Sequence, residues 1–352
     1  MSIDLQALIT SFQDATKFWI VSLGTDKITQ VKASKVEDPL GELLKLVKLI
    51  KAHTTKVGIV FKPGTLVKEE KTAYSTLEKL SETLIFTVSV IAQLKAKEIS
   101  KVFYEEIVIQ VKQLIGSSNI LANELLSIHS SECGSDDDDD SGEGRLVSVG
   151  KIWSNCDSLT KLINEGALGL LTEKIKQSIA LIDDGFDEFV EWAENPEDID
   201  DPFGFSDEGE TDEDEEKKTD FENEETEEEE EKEKEEENVS NEEDFELIKY
   251  SKKLIKKIEL IKLLLSSFKK SLPKTITGSQ IDEIYQIQKT LVNHIDKIII
   301  DLMLERSVSD ETISTEQTIS SNSIKLSKLA ESIHKDNKKS SWYTTWATKY
   351  NI

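Results

Sequence analysis

The sequence predicts an all-α protein: two helical-bundle lobes of long amphipathic helices separated by a disordered acidic linker. Apolar residues recur at helical spacing along most of the 352 residues, and only five Pro and fifteen Gly interrupt them, which suits long helices better than turn-rich β folds. Residues 194–246 hold 30 Asp and Glu against four Lys, and so carry −26 of the formal −27. Like charges at that density repel one another and cannot bury apolar surface, so the stretch is expected to be a solvated tether. Beyond it the balance reverses: residues 247–352 hold 18 Lys and Arg against 11 Asp and Glu, a net +7.

The elements follow in order. Ile3, Leu5, Leu8, Ile9, Phe12, Phe18 and Trp19 place a first helix that ends near Gly24. Pro39 opens a second, because its missing N–H is unpaired in a first turn anyway, and Leu40, Leu43, Leu44, Val47 and Ile50 carry it towards Phe61. Pro63 and Gly64 break it. Tyr74, Leu77, Leu84, Val88 and Ile91 share one face of a third helix; residues 85–91 are β-branched enough to resemble a strand, but the length decides for helix. Ile99, Val102, Phe103, Ile107, Val111 and Leu114 define a fourth, extended by residues 120–128. These four make residues 1–129 an N-terminal bundle.

Residues 130–144 read as an acidic Ser/Gly loop containing Asp136–Asp140. Two helices then occupy 145–195, completing the bundle or bridging beyond it, and Pro196 stops them. The disordered linker is assigned to 196–240. A C-terminal basic lobe occupies 241–335. Ser240 with Glu243 and Thr277 with Gln280 have capping-box spacing ahead of two strong helices, Ile248 to Leu272 and Ile281 to Leu302. A Ser/Thr-rich connector leads to a weaker helix over 324–333, and 336–352 is an aromatic tail.

Catalytic patterns are missing. His53, His129, His294 and His334 are scattered singly, and there is no HExxH, paired-Cys motif or glycine-rich phosphate loop. Gly166 and Gly169 follow no strand and read as a bend. No enzyme, metal or cofactor is expected. Cys133 and Cys156 lack ligand-spaced partners and read as free thiols in a reducing compartment. The first 23 residues carry Asp4, Asp14 and Lys17 inside their apolar pattern, unlike a signal peptide. The most apolar runs, 84–92 and 298–304, are too short to span a membrane.

Three groups of residues are candidates for interaction. Lys249, Lys252, Lys253, Lys256 and Lys257 form a basic patch, read as a solvated helix face more than a nucleic-acid site, because the adjacent acidic stretch competes with phosphate for the same lysines. No direct nucleic-acid contact is expected. Ser135, Thr211, Thr219, Thr226 and Ser240 each have an acidic residue three positions on, the pattern read by acidophilic kinases of the casein kinase II type, and phosphate there adds further negative charge. Trp342, Trp346 and Tyr350, spaced i, i+4, i+8, are a candidate anchor for a membrane or partner, with docking onto the bundle the favoured reading and peripheral membrane contact not expected.

Three stretches carry a family resemblance. They are "TTKVGIVF" with the following "LEKLSETLIFTVSVIAQL" and "VFYEEIVIQVKQLI"; "VGKIWSNCDSL" leading into "ALGLLTEKIKQSIALIDDGFDEFVEW"; and the acidic stretch followed by "DFELIKYSKKLIKKIELIKLLL". Together they resemble the GCIP family of cyclin-D-binding proteins. The resemblance implies a helical-bundle regulator without enzymatic activity, found in nucleus and cytoplasm, that binds D-type cyclins or transcriptional regulators and restrains cell-cycle progression. It also implies a helix-loop-helix protein without a DNA-contacting basic region, in keeping with lysines 249–257 lying inside an amphipathic helix. The Asp136–Asp140 insert, the unusual length of the acidic stretch and the aromatic tail fall outside the resemblance. Two other classes fit the same residues: a structural adaptor like the vinculin and α-catenin modules, and an acidic chaperone of basic proteins such as histones.

Overall fold

A computed structural model describes residues 4–25, 28, 31, 35–133, 143–194, 227–335 and 337–351. Among these the regular structure is helical, and the chain divides into two units: Met1–Leu171 with Ile276–Asp282, and Thr172–Thr275 with Glu283–Ile352.

In the first unit, α1 (Leu5–Ser22) starts where the Asp4 carboxylate accepts from the Ala7 N–H at 2.9 Å, and α2 (Pro39–Val60) where Asp38 accepts from Gly41 N–H at 3.0 Å. Each cap satisfies an N–H that the helix itself leaves open. A 3-10 turn, Leu66–Lys68, leads to α3 (Glu70–Ile91), then the short α4 (Ala96–Ile99) and the long α5 (Lys101–Cys133). The β-branched run at the end of α3 is helical because Leu84, Val88 and Ile91 share one buried stripe while Ile85 and Phe86 face outward. Helix α2 packs on α3, and α1 packs on both α3 and α5. Their shared core is aliphatic: Ile9, Leu43, Ile50, Leu77, Ile107 and Leu114 are fully buried.

The first part of α6 (Glu143–Glu194) joins this unit, with Arg145 donating to the Gly58 carbonyl at 2.9 Å and Lys51 donating to both Asp157 oxygens at 2.6 and 2.8 Å. The two helices expected over 145–195 meet without a loop. They join at a kink where Gly166 takes φ 66°, ψ −174°, a conformation that only glycine adopts without strain. Residues 276–282 close the unit. Thr277 and Gln280 form the expected capping box, with Gln280 N–H on the Thr277 hydroxyl at 3.3 Å and Thr277 N–H on the Gln280 side chain at 3.0 Å. Asp282 then accepts from Ser100 Oγ at 2.6 Å, Lys101 N–H at 2.8 Å and Val102 N–H at 3.1 Å, capping α5 from a distant part of the chain. A Cβ on Gly278 would lie 2.6 Å from the Ser100 nitrogen, so this approach requires glycine.

The second unit contains the end of α6, α7 (Glu227–Ser271), α8 (Gly278–Glu305) from Glu283 onward, α9 (Asp310–Ile333) and α10 (Lys339–Tyr350). Phe189, Trp192, Ile258, Ile261, Leu291 and Leu326 are among its fully buried side chains. Polar links fix the helices laterally: Gln288 donates to Ser178 Oγ at 2.9 Å, Lys262 pairs with Asp183 and lies 4.3 Å from the Phe186 ring centre, and Lys297 joins Asp301 to Glu311 at 2.7 and 2.8 Å.

Two boundaries differ from expectation. Of the linker assigned to 196–240, residues 196–226 lie outside the described residues, and 227–240 are α-helix. Ser240 is therefore inside α7 and is not its cap. Glu and Lys are strong helix formers, acidic residues favour a helix N-terminus, and the amphipathic segment after Leu247 supplies a nucleus onto which further turns add. The second difference is the Ser/Thr-rich connector, which is the first half of α9. Ser309 caps it, accepting from Thr312 N–H at 3.2 Å. Thr315 donates to the Glu311 carbonyl at 2.9 Å, so its hydroxyl is satisfied within the helix, and the small buried Thr312, Thr315 and Ser323 let neighbouring helices approach closely.

Candidate functional site

The second unit has a cavity of about 700 Å3, open to solvent along α7 and bounded at one end by Lys349 and Tyr350 of α10. Helical phase builds it. Phe245, Ile248, Lys252, Lys256 and Leu260 recur at three- and four-residue steps and so lie along one face of α7.

The placement of α10 depends on Tyr343, which the sequence reading did not single out. This residue is 1% exposed; its hydroxyl sits 3.1 Å from Ser267 Oγ and 2.7 Å from Ser271 Oγ, and its carbonyl accepts from Ser327 Oγ at 2.9 Å. The His334 ring stacks parallel to it with centres 5.6 Å apart. One turn on, Trp346 is buried and its indole N–H donates to the Leu260 carbonyl at 2.8 Å. Tyr350 stacks on Trp346 at 4.9 Å and reaches Ser320 Oγ at 3.4 Å. Trp342 stands differently from the other two anchor candidates: it is 38% exposed and touches Tyr343 edge-on at 4.9 Å. The buried face is thus 343, 346, 350, at i, i+3, i+7, and the spacing i, i+4, i+8 placed Trp342 on it wrongly by one position.

The five patch lysines have three different environments. Lys257 is held: its ammonium lies 2.6 Å from Glu316 Oε1 and 5.6 Å from the Tyr350 ring centre, and Lys253 reaches the same carboxylate oxygen at 3.8 Å. Burial alone would raise the Glu316 pKa, but the hydrogen bond from Lys257, the neighbouring Tyr250 phenol and the two ammonium charges together hold it below the ordinary carboxylate value. Burial and then the Glu316 charge push Tyr250 well above the ordinary phenol value. Lys249 makes an exposed pair with Glu246 at 3.0 Å, a geometry of little energetic weight. Lys252 and Lys256, with Lys349, are exposed and have no ionic partner among the described residues. Glu316 was hidden from the sequence reading because it lies in the segment taken for a connector.

Phe245 is 64% exposed, Ile248 and Leu260 lie to either side of the unpaired Lys252 and Lys256 on the same face of α7, and Tyr350 lines the cavity from α10. The arrangement offers apolar area interspersed with unpaired cations, which suits binding of another macromolecule.

Other candidate residues lie elsewhere. Ser135, Thr211, Thr219 and Thr226 fall outside the described residues, and Ser240 lies within α7. Cys156 is buried in the first unit, and burial pushes its thiol up to about 12. Among the described residues no group of three or more His, Cys, Asp and Glu side chains comes together as a metal site, and no helix is long and apolar enough to cross a membrane.

Residues 42–195 match the family model described as "Grap2 and cyclin-D-interacting, N-terminal". The cavity on α7 lies outside that span. An uncharacterized protein of Saccharomyces cerevisiae is 30% identical over 343 residues, covering 92% of this chain and 89% of that protein. Another uncharacterized protein, of Schizosaccharomyces pombe, is 21% identical over 335 residues, covering 93% of this chain and 88% of that protein. With matched residues running through α2, α3, α5 and α6, and a relative aligned over nearly the whole length, the chain belongs to the GCIP, or Grap2 and cyclin-D-interacting, family.

Proposed function

We propose that this chain is a non-enzymatic regulatory adaptor of the GCIP type that works in cytoplasm and nucleus, binds a cyclin or a transcriptional regulator through its helical surfaces, and restrains cell-cycle progression. The observation that carries this reading is the family match over residues 42–195, whose description is cyclin-D-interacting. The open apolar cavity of the second unit supports it, since an adaptor needs surface that its own fold leaves uncovered. Titration calorimetry of the full chain with a purified D-type cyclin tests it, at ~0.15 M and at ~0.5 M salt, where the Debye length shrinks about twofold. Binding that persists at the higher salt is expected for an apolar interface. No heat of binding at either salt would overturn the cyclin reading.

The −26 carried by residues 194–246 favours one other class, a chaperone of basic proteins. That reading requires histone binding that vanishes on deletion of residues 197–226 and at the higher salt, with no cyclin binding. Cyclin binding that survives the deletion counts against it.

A further inference from the structure

We propose that the groove lined by lysines and apolar residues of α7 and by the end of α10 receives an acidic amphipathic helix from a partner protein. The inference deepens the adaptor reading and rests on it for the claim that a partner binds at all.

The argument begins with the three ammonium groups that the fold does not use. Lys253 and Lys257 are engaged by Glu316, and Lys249 has Glu246 beside it, whereas Lys252, Lys256 and Lys349 are exposed and unpaired among the described residues. The unpaired three border the same cavity as Phe245, Ile248, Leu260 and Tyr350. Charge and apolar area therefore lie side by side, and an occupant must match both. From Phe245 to Leu260 the face runs about 22 Å at 1.5 Å per residue, the length of a four-turn helix. A partner helix with apolar residues at i, i+3, i+4 and i+7 sets that stripe against Phe245, Ile248, Leu260 and Tyr350 and places Asp or Glu beside it, within reach of the long lysine side chains that lie among them.

A nucleic acid matches less of this surface. Its affinity is supplied largely by phosphate charge. The −26 stretch that runs into α7 offers the same lysines a covalently attached competitor, so an occupant held by charge alone is at a disadvantage. An amphipathic helix also buries Phe245, which is 64% exposed, and that contribution survives electrostatic competition.

The test uses the full chain and a fluorescein-labelled synthetic peptide of about 18 residues, long enough to cover the face at 1.5 Å per residue, with Leu at i, i+3, i+4, i+7 and Glu elsewhere. A scrambled peptide of the same composition and a single-stranded DNA oligomer are the comparison probes, with anisotropy as the readout. The patterned peptide is expected to bind at least about tenfold tighter than the scramble, and Phe245→Ala and the double variant Lys252→Glu/Lys256→Glu each to weaken it by about tenfold. These side chains are exposed, so the circular dichroism melt should be unchanged. Equal binding of patterned and scrambled peptides, tighter binding of DNA, or no peptide binding would each overturn the assignment. Cyclin titrations separate it from the reading on which it rests. Cyclin affinity that is unaltered in Lys252→Glu/Lys256→Glu leaves the adaptor and removes the groove from its mechanism. Peptide binding sensitive to both variants, with no cyclin affinity, keeps the groove and removes the cyclin.

Discussion

Lys253 and Lys257 on one side of α7 are held by Glu316, whereas Lys252 and Lys256, each one residue earlier, have no ionic partner among the described residues. Helix α10 repeats the contrast with aromatic residues: Tyr343 is buried among Phe268, His334 and three serines, and its neighbour Trp342 is 38% exposed. One step along a helix turns a side chain by about 100°, enough to change a structural residue into a surface one. Residue type and clustering are the same on both faces, so helical phase alone separates the residues that stabilise the unit from those free to contact something else.

The largest expected break in this contrast is at Tyr343. Replacing a fully buried aromatic by Ala costs about 3–5 kcal/mol, from lost burial and the cavity left behind. The Ser267 and Ser271 hydroxyls also lose a partner, and α10 loses the contact that fixes its phase. Trp342→Ala should change stability by less than about 1 kcal/mol, as substitutions of exposed residues do. Urea unfolding followed by circular dichroism compares them. Equal losses would mean that α10 is anchored by its outer face and that its assigned phase is wrong.

The lysine pair sharpens the same comparison at a smaller scale. Lys257→Met removes the partner 2.6 Å from Glu316 and leaves a carboxylate that is 13% exposed with the Tyr250 phenol and, at 3.8 Å, the Lys253 ammonium. Breaking a fully buried pair costs about 3–5 kcal/mol; with Lys257 itself 20% exposed, water offsets part of that, and about 1–3 kcal/mol is expected. Lys256→Met should stay within about 0.5 kcal/mol. Glu316→Gln in the Lys257→Met background should recover part of the loss, because the uncompensated charge is gone. Failure of that recovery would locate the cost in packing against Tyr350.

These differences also mark how far the sequence could be read. The helices themselves were legible, because burial imposes the 3.6-residue period and termini need particular chemistry: Pro39 opened α2, and the Thr277–Gln280 box formed as its spacing required. What failed was local polarity used as a guide to irregular structure. Residues 310–323 look like a connector because Ser and Thr compete with the backbone for hydrogen bonds; inside α9 they instead bond back to carbonyls four residues earlier, as Thr315 and Thr318 do. Ser240 and Glu243 have cap spacing, but a cap is needed only where a helix starts, and α7 starts at Glu227. The groove was half legible. Its lysines were visible as a run, but which of them the fold consumes depends on Glu316, a residue from another helix that no local pattern connects to them. Tyr343 was missed for a related reason: equal spacing of the tryptophans drew the eye to a face one position away from the buried one.

The smallest expected effect is on pH dependence, and it tests the inner face where Tyr343 is stacked. His334 is 1% exposed, its Nδ1 is paired with Asn337 at 3.0 Å, and its Nε2 has no hydrogen-bond partner among the described residues. Burial first, and then the nearby Lys339 charge, lower its pKa from 6.5. The unfolded chain therefore binds this proton more readily than the folded one, so the contribution to stability is complete above pH 6.5 and declines as the pH falls below it. Glu316 acts in a separate window: its pKa is lowered from 4.5, so its contribution is present above that value and is lost as the pH falls through the depressed one. His53, in the first unit, shifts in the same direction as His334, through burial and then Lys56 and Lys79, and shares the upper window. Thermal melts between about pH 7.5 and about pH 5.5, a range that spans imidazole titration, should show the wild-type midpoint falling with acid. His334→Gln should flatten that fall in part, and His53→Gln/His334→Gln should remove most of it, while melts carried on below pH 4.5 should still show the loss attributed to Glu316. A slope unchanged in His334→Gln would mean that the ring beneath Tyr343 is protonated as easily in the folded chain as in the unfolded one, and that the inner face admits water and charge as the outer face does.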